Sequence, residues 1–521
     1  MTPRARGVLF FVPVTFLVVF FAYPFGAIMW RALGPDPGAF ARVLGQPHVH
    51  EVIWFTVWQA VVSTALTLAV GLPIAYVVSR YAFRGRAFVD AIVLLPFVLP
   101  TVVVGLAFTG LPGSVVAIVA AHVFFNIAVV VRVVGAAWAT MDPALEDAAA
   151  ELGAGSWRRV TRVLIPLARP AIVSAATLVF LFTFTSFGVV LLLGGPGRTT
   201  IEVEIFERTS QFLDLSGAAV LALVQLAFVG VLLLVDGVLA SRAPAVDPVL
   251  GRRPPRSRAE RAALVTVTLV AIAIVVVPLG RLIHRSLTGP DGLTFANFLH
   301  IGDAQRGGVF SIDPVAAIWT SLHAAALACV LAMVIGGSLA VAIGLQARRR
   351  AVWGVVAVPL GVSAVTLGFG YVVAFDRAPL DLRGSVWLVP LAQSLVAMPF
   401  VVRIVAPAIS ASNTAYGEGA AALGASPWRA FRDATLPNAA GAIRTAATFA
   451  FLIALGEFGA TAFLARADNP TVPVAIARLL DQPGAASIGQ ANALAVILLA
   501  LTAAVSLTFG RLRLGFGDVR P

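Results

Sequence analysis

Long apolar stretches recur along this chain, each parted from the next by a short segment rich in arginine, proline or glycine. About twenty consecutive apolar residues cover the hydrocarbon core of a bilayer. Stretches near or above that length lie at 7–32, 52–79, 88–109, 113–139, 168–193 and 216–241, then at 262–286, 316–345, 352–375, 385–410, 438–464 and 487–510. Backbone in lipid must satisfy its own hydrogen bonds, which leaves helices or a closed barrel. A barrel would show short strands of alternating polarity, whereas these runs are continuous. The pattern predicts an all-α polytopic membrane protein with about twelve transmembrane helices. The first run follows a basic flank, as a signal peptide does. It extends to about residue 32 and is expected to be a retained helix.

The pattern is written twice. Residues 132–188 recur at 403–459 with a constant offset of 271 and no gap. Arg132 answers to Arg403, Trp157 to Trp428, and the triplet Ser186-Phe187-Gly188 to Glu457-Phe458-Gly459. Gly153 precedes Pro166, and Gly424 precedes Pro437, by the same thirteen residues. A self-similar chain is two copies of one unit. Six spans per copy return the chain to its starting side, so the repeats are parallel; inverted repeats need an odd number. The expected division is a first half 1–241, a Pro/Arg-rich linker 242–261 and a second half 262–521.

Composition agrees with lipid as the solvent. Charged residues are 12% of the chain, about half of what a soluble domain carries. The net charge is +12, and with no lysine present all 37 basic residues are arginine. If the N-terminus is cytoplasmic, and arginines near the ends of runs are counted with the adjoining segment, the inside segments hold 24 arginines and the outside loops 11, with Arg132 and Arg403 inside spans. Basic residues concentrate on the cytoplasmic side, so this excess orients helices and gives no reason to expect nucleic acid. Both termini are expected in the cytoplasm of a cell whose plasma membrane holds the chain.

Several chemistries are absent. A P-loop needs a lysine to reach nucleotide phosphates, and a Schiff base needs one too. No HExxH or Cys/His cluster occurs, and the single cysteine, Cys329, sits in an apolar run. His48 and His50 beside Glu51 are a poor metal signal. The chain is expected to be a conduit, not an enzyme, with no metal or cofactor of its own.

Two polar inserts, 142–166 and 413–437, face the cytoplasm in this topology. In the first, Asp142-Pro143 starts a helix. Gly153 ends that helix or permits a close backbone approach. A second short helix from about Ser156 is expected to stop at Pro166. The second insert repeats the plan from Ser426-Pro427 to Pro437.

These inserts resemble the EAA motif of permease subunits from bacterial ABC importers. The first copy matches at Asp147-Ala148-Ala149, Gly153 and Ile165-Pro166; the second at Glu418-Gly419-Ala420, Gly424 and Leu436-Pro437. Asp147, Ile165 and Gly419 are mild departures from that motif. The resemblance implies a type I importer permease fold and a coupling role for Asp147, Ala148, Ala149, Gly153, Trp157 and Pro166. In the second copy it implies the same for Glu418, Ala420, Gly424, Trp428 and Pro437. It also implies a separate ATPase, a homodimer that holds ATP and Mg, and an external solute-binding protein in the inner membrane system of a bacterium. Segments 184–225 and 455–482 are similar to fused permeases for thiamine and for ferric iron, so one of these is the expected solute. A gradient-driven transporter with two parallel six-helix halves would also give twelve spans, but it has no use for two docking loops.

Polar groups inside spans are costly and mark pathways. His122 and Gln393 are equivalent positions, as are Ser186 and Glu457; Asn126 shares the helix of His122. These five are the candidates for a solute path or gate. Glu457 would meet a cationic solute or a gating arginine, or else be paired to a fixed arginine or capped by backbone. Arg132 and Arg403 are expected to be structural, snorkelling toward the cytoplasmic face.

Overall fold

The computed structural model describes residues 3–34, 36, 38–111, 113–142, 144–195, 197–240, 252–255, 257–289, 292–301, 313–345, 362–376, 380–466 and 469–510. Among them are nine uninterrupted helices long and apolar enough to span a membrane: Leu9–Leu33, Pro47–Arg80, Ser114–Ala139, Leu215–Leu234, Arg258–Ser286, Pro314–Gly344, Leu388–Ala422, Pro427–Gly456 and Ala485–Thr508. Two bent pairs, Arg86–Val98 with Thr101–Phe108 at 101° and Trp157–Leu167 with Arg169–Phe184 at 74°, bring the number to eleven if each pair is one broken span. The run expected at 352–375 is described only in part, as helix Ala364–Ala374. The linker lies partly outside the described residues. Its end already belongs to the next helix, which starts at Arg258 with Ser257 accepting a hydrogen bond from the Glu260 N–H.

The halves pack alike. Helix 47–80 lies against helices 114–139 and 169–184, and helix 314–344 lies against 388–412 and 436–456 in the same way. Apolar burial drives little between helices already in lipid, so close backbone approach matters more. A Cβ on Gly71 would sit 2.8 Å from Val130 Cβ, and one on Gly336 would sit 2.9 Å from Met398 Cγ. Each half sends its first helix to the other. Residues Pro3–Leu17 lie on helix 314–344, residues 23–33 on helix 364–374, and helix 258–286 on helices 86–98 and 47–80. Buried side chains from both halves therefore form one continuous core around Leu106, Phe184, Phe369 and Leu455.

Three expected spans are not continuous. The run 168–193 stops at Phe184 and resumes as Gly188–Leu193. The run 438–464 stops at Gly456 and resumes as Thr461–Leu464. The run 88–109 breaks at Leu99, whose ψ of 142° is extended, because Pro100 disfavours a helical residue before it. Hydropathy does not register such breaks. Irregular backbone at membrane depth is tolerated where it is buried in protein or lines a cavity, and both conditions hold here.

Pro166 and Pro437 do not stop the second helix of each insert. A wide turn precedes each proline: the Ile165 N–H donates to Val160 O and the Leu436 N–H to Phe431 O. That i→i+5 register takes up the place where a proline would break the i→i+4 ladder. In the second half the helix then runs unbroken to Gly456; in the first it bends at Ala168.

Candidate functional site

The breaks converge. Phe187 and Phe458, equivalent at the 271 offset, stack across the boundary between the halves with ring centroids 5.2 Å apart. Around them opens a cavity of about 320 Å³ lined from both halves. Its wall includes Pro100, Thr101, His122, Asn126, Ser186, Glu202, Ser363, Glu457 and the rings of Phe97, Phe125, Phe182, Phe400 and Phe449. Among the described residues, neither arginine nor lysine lines it.

His122, Asn126 and Glu457 in this wall are each held by hydrogen bonds. His122 Nε2 is 2.8 Å from Ser186 Oγ, and its Nδ1 is 3.2 Å from Ser63 Oγ. The ring thus holds the break of one span to two neighbouring helices. Asn126 donates to His122 O at 3.0 Å, while its buried Oδ1 has no hydrogen-bond partner among the described residues. Glu457 accepts from the Ala460 N–H at 2.7 Å and the Thr461 N–H at 3.1 Å. It therefore caps the half-helix that follows its own break. Of the alternatives for Glu457, backbone capping is realised, on the wall of the cavity rather than away from it. Gln393 is buried but does not line the cavity, and its Oε1 has no partner among the described residues.

Glu202 escaped sequence reasoning. It lies in the short helix Ile201–Ser210, between two apolar runs, in a segment expected to be an external loop. The helix folds back because the Ile201 N–H finds Thr56 Oγ1 at 3.0 Å; its counterpart Val472 finds Ser321 Oγ at 2.7 Å. Glu202 accepts from Gln225 and, across the halves, from Ser363 Oγ at 3.0 Å. Burial pushes its carboxyl up to about 8, against the pull of these two donors. His48 is drawn to Glu204 at 3.1 Å, and Arg208 binds the same carboxylate at 2.7 Å. No group of three His, Cys, Asp or Glu side chains able to hold a metal exists among the described residues.

The two inserts have the same construction. Asp147, Ala148 and Ala149 lie in helix Ala144–Glu151, and Glu418 and Ala420 in helix Glu418–Ala422. Gly153 and Gly424 take φ of +80° and +88°. The Ala154 N–H then returns to Ala149 O at 2.9 Å, and the Ala425 N–H to Ala420 O at 3.0 Å. This is the glycine-closed helix end that satisfies otherwise orphaned carbonyls. The turn thrusts out one leucine in each copy, Leu152 and Leu423, 89% and 92% exposed. Trp157 and Trp428 stand beside them, 77% and 58% exposed. The sequence drew attention to the tryptophans; the leucines needed the turn geometry. Arg132 is half-buried near Asp90, and Arg403 is exposed.

The family described as "Binding-protein-dependent transport system inner membrane component" matches residues 68–244 and again 312–513. The chain belongs to this family. The match falls once on each half, so both halves of a transport unit are fused in one multi-pass inner-membrane chain. Among similar proteins, the "Thiamine transport system permease protein ThiP" of Escherichia coli (strain K12) is 27% identical over 495 residues, covering 89% of each chain. That of Brucella abortus (strain 2308) is 26% identical over 521 residues, covering 92% of this chain and 93% of its own. The "Sulfate transport system permease protein CysT" of Escherichia coli (strain K12) is 30% identical over 248 residues, 44% of this chain and 89% of its own.

Proposed function

We propose that this chain is the membrane permease of an ATP-driven importer, that it passes a thiamine-type organic cation, and that loops 142–166 and 413–437 dock it to a separate ATPase. The observation that carries the docking role is the pair of glycine-closed turns at the 271 offset, each presenting an exposed leucine and tryptophan. Exposed apolar groups rimmed by polar residues mark a contact surface. Two equivalent knobs fit two copies of one ATPase. With 24 arginines on their side against 11 on the other, these loops belong in the cytoplasm together with both termini. An external binding protein then delivers the solute from the far side.

The choice of solute comes from the cavity wall. Two carboxylates, Glu202 and Glu457, stand among phenylalanine rings, with no arginine or lysine among the described residues of the wall. Cations are drawn to ring faces and to carboxylates. An anion such as sulfate would meet only like charge. Ferric iron would need a cluster of hard oxygen ligands, whereas both carboxylates are already committed to N–H and O–H donors. An arriving cation favours the ionised form of Glu202, so cation binding and proton release are linked.

In this reading the Phe187–Phe458 stack is the gate. ATP closes the ATPase pair and draws the knobs together, the breaks move apart at the boundary between the halves, and the rings separate. Work passes only if the knobs meet the ATPase differently in the two states. The test is uptake of labelled thiamine by proteoliposomes holding the permease, its ATPase and its binding protein. Uptake that needs ATP supports the proposal. Uptake driven by an ion gradient without ATPase would return the chain to the secondary-transporter class.

A further inference from the structure

The two docking loops are alike in shape but not in attachment. In the first, Glu146 is buried and accepts from Arg80 Nε at 2.7 Å, while Arg80 also donates to Trp138 O and Met141 O at 3.1 and 2.9 Å. The chain that joins the halves then lies across this joint. The Arg253 N–H donates to Arg80 O at 3.1 Å, and Arg253 O accepts from the Ala82 N–H at 3.0 Å. Its guanidinium sits 5.2 Å from the centre of the Tyr81 ring. The same guanidinium grips Glu260 with two bonds of 2.9 and 2.8 Å. Glu260 in turn lies 3.9 Å from Arg159, in the second helix of the first loop. All three side chains are mostly buried, at 13%, 11% and 14% exposure, where ion pairs are screened little by salt. At the 271 offset Glu146 and Arg159 are replaced by Gly417 and Ala430, which carry no charge.

Glu260 is in the first turn of helix 258–286. At 1.5 Å per residue that helix is about 43 Å long. Its other end is also fastened to the first half: Arg285 donates to Leu106 O at 3.2 Å and Thr109 O at 2.9 Å. Those carbonyls end the half-helix 101–108, whose first residue, Thr101, lines the cavity. One continuous helix is therefore held at one end by the first repeated loop and at the other by a piece of the cavity wall.

We propose that Arg253 and Glu260 form a latch that ties the first docking loop, through helix 258–286 as a strut, to the cavity-lining half-helix 101–108. The two loops are then unequal: the first is tied to the wall through the strut, whereas the second, with Gly417 and Ala430 in place of Glu146 and Arg159, reaches the wall along its own helix 427–456. This inference rests on the docking role of the loops given above, and Arg253 and Glu260 are positioning residues that touch neither solute nor ATPase.

The experiment uses full-length permease reconstituted with its ATPase and binding protein, and reads solute carried per ATP hydrolysed. Glu260→Ala and Arg253→Ala are expected to co-purify with the ATPase as the unaltered chain does and to hydrolyse ATP, while solute per ATP falls at least fivefold. Arg253→Lys keeps the charge but loses the two-pronged grip, and is expected to lie between. Where an alanine variant lowers membrane yield, Glu260→Gln keeps the volume and one hydrogen bond, and the same fall in solute per ATP is expected of it. An unchanged ratio in these variants overturns the latch. Loss of ATPase co-purification also overturns it, since Glu260 would then be part of the docking contact. Gly153→Val serves as the contrast: it attacks the docking turn itself and should lose the ATPase, so failure of the docking reading and failure of the latch give different results.

Discussion

Gly424 gives the sharpest test of the proposed docking role of the two repeated loops. Its φ of +88° lies in the left-handed region, and a Cβ placed there would meet nothing within 4 Å. Any loss on substitution therefore comes from the backbone and not from a clash within the chain. Left-handed backbone costs an L residue about 1–2 kcal/mol. A loop that must regain the turn in order to dock loses affinity by the fraction of time it spends in that turn. One or two kcal/mol is a factor of roughly 5–30. Gly424→Ala should thus weaken ATPase binding by about that factor, and Gly424→Val by more, because a β-branched side chain fits this backbone worst. Gly424→Asn should be nearest to glycine, since asparagine tolerates this region. The assay is equilibrium binding of purified ATPase to permease in detergent, with thermal unfolding measured alongside to confirm that the chain is folded. The order Gly, Asn, Ala, Val is expected, and the same order at Gly153. Asparagine binding as weakly as valine would refute the backbone argument and point to close contact with the partner instead.

Other consequences follow from the cavity and the packing. Phe458→Ala removes one ring of the stack, worth about 0.5–1.5 kcal/mol beyond its burial; it should raise ATP hydrolysis in the absence of binding protein, and an unchanged basal rate would remove the gate role. Glu457→Gln retains one oxygen acceptor where two N–H groups are now bound, so it should lower the midpoint of thermal unfolding by an amount corresponding to a lost cap of about 1 kcal/mol and slow uptake as well. A normal midpoint together with normal uptake would falsify both roles. Gly336→Ala puts a methyl group 2.9 Å from Met398 Cγ and should cost about 1–3 kcal/mol as overpacking, read as a lower unfolding midpoint without loss of ATPase binding. The Glu202 carboxyl is raised from 4.5 to about 8 in the folded chain. The folded state therefore holds this proton more tightly than the unfolded one, and the stability it lends below pH 4.5 is lost as pH rises toward about 8. Across that window the unfolding midpoint of the unaltered chain should fall more steeply than that of Glu202→Gln. Single cysteines at Ser426 and Thr199 in a Cys329→Ala background should label from the cytoplasmic and external sides respectively; the reverse would invert the topology.

The sequence by itself determined the solvent, the number of apolar runs, the twofold repeat and the position of the two repeated polar loops. These are periodic or local properties: twenty apolar residues need lipid, and the thirteen-residue spacing from Gly153 to Pro166 and from Gly424 to Pro437 survives in one dimension. Local geometry was legible too where one residue dictates it, as at Gly424, where only a left-handed turn closes the helix. Tertiary structure alone decided the rest. Hydropathy gave runs 168–193 and 438–464 as whole spans because Phe187 and Phe458 are as apolar as any helix interior, yet these two residues leave the helix to stack on each other from opposite halves. Glu202 read as part of an external loop because its burial depends on Thr56 and Ser363, more than a hundred residues away on either side. The linker read only as a Pro/Arg-rich connection because nothing in its own composition reveals that Arg253 will meet Tyr81 and that Glu260 will meet Arg159. Contacts between segments distant in sequence follow from how helices pack, and a single chain records the segments but not their encounter.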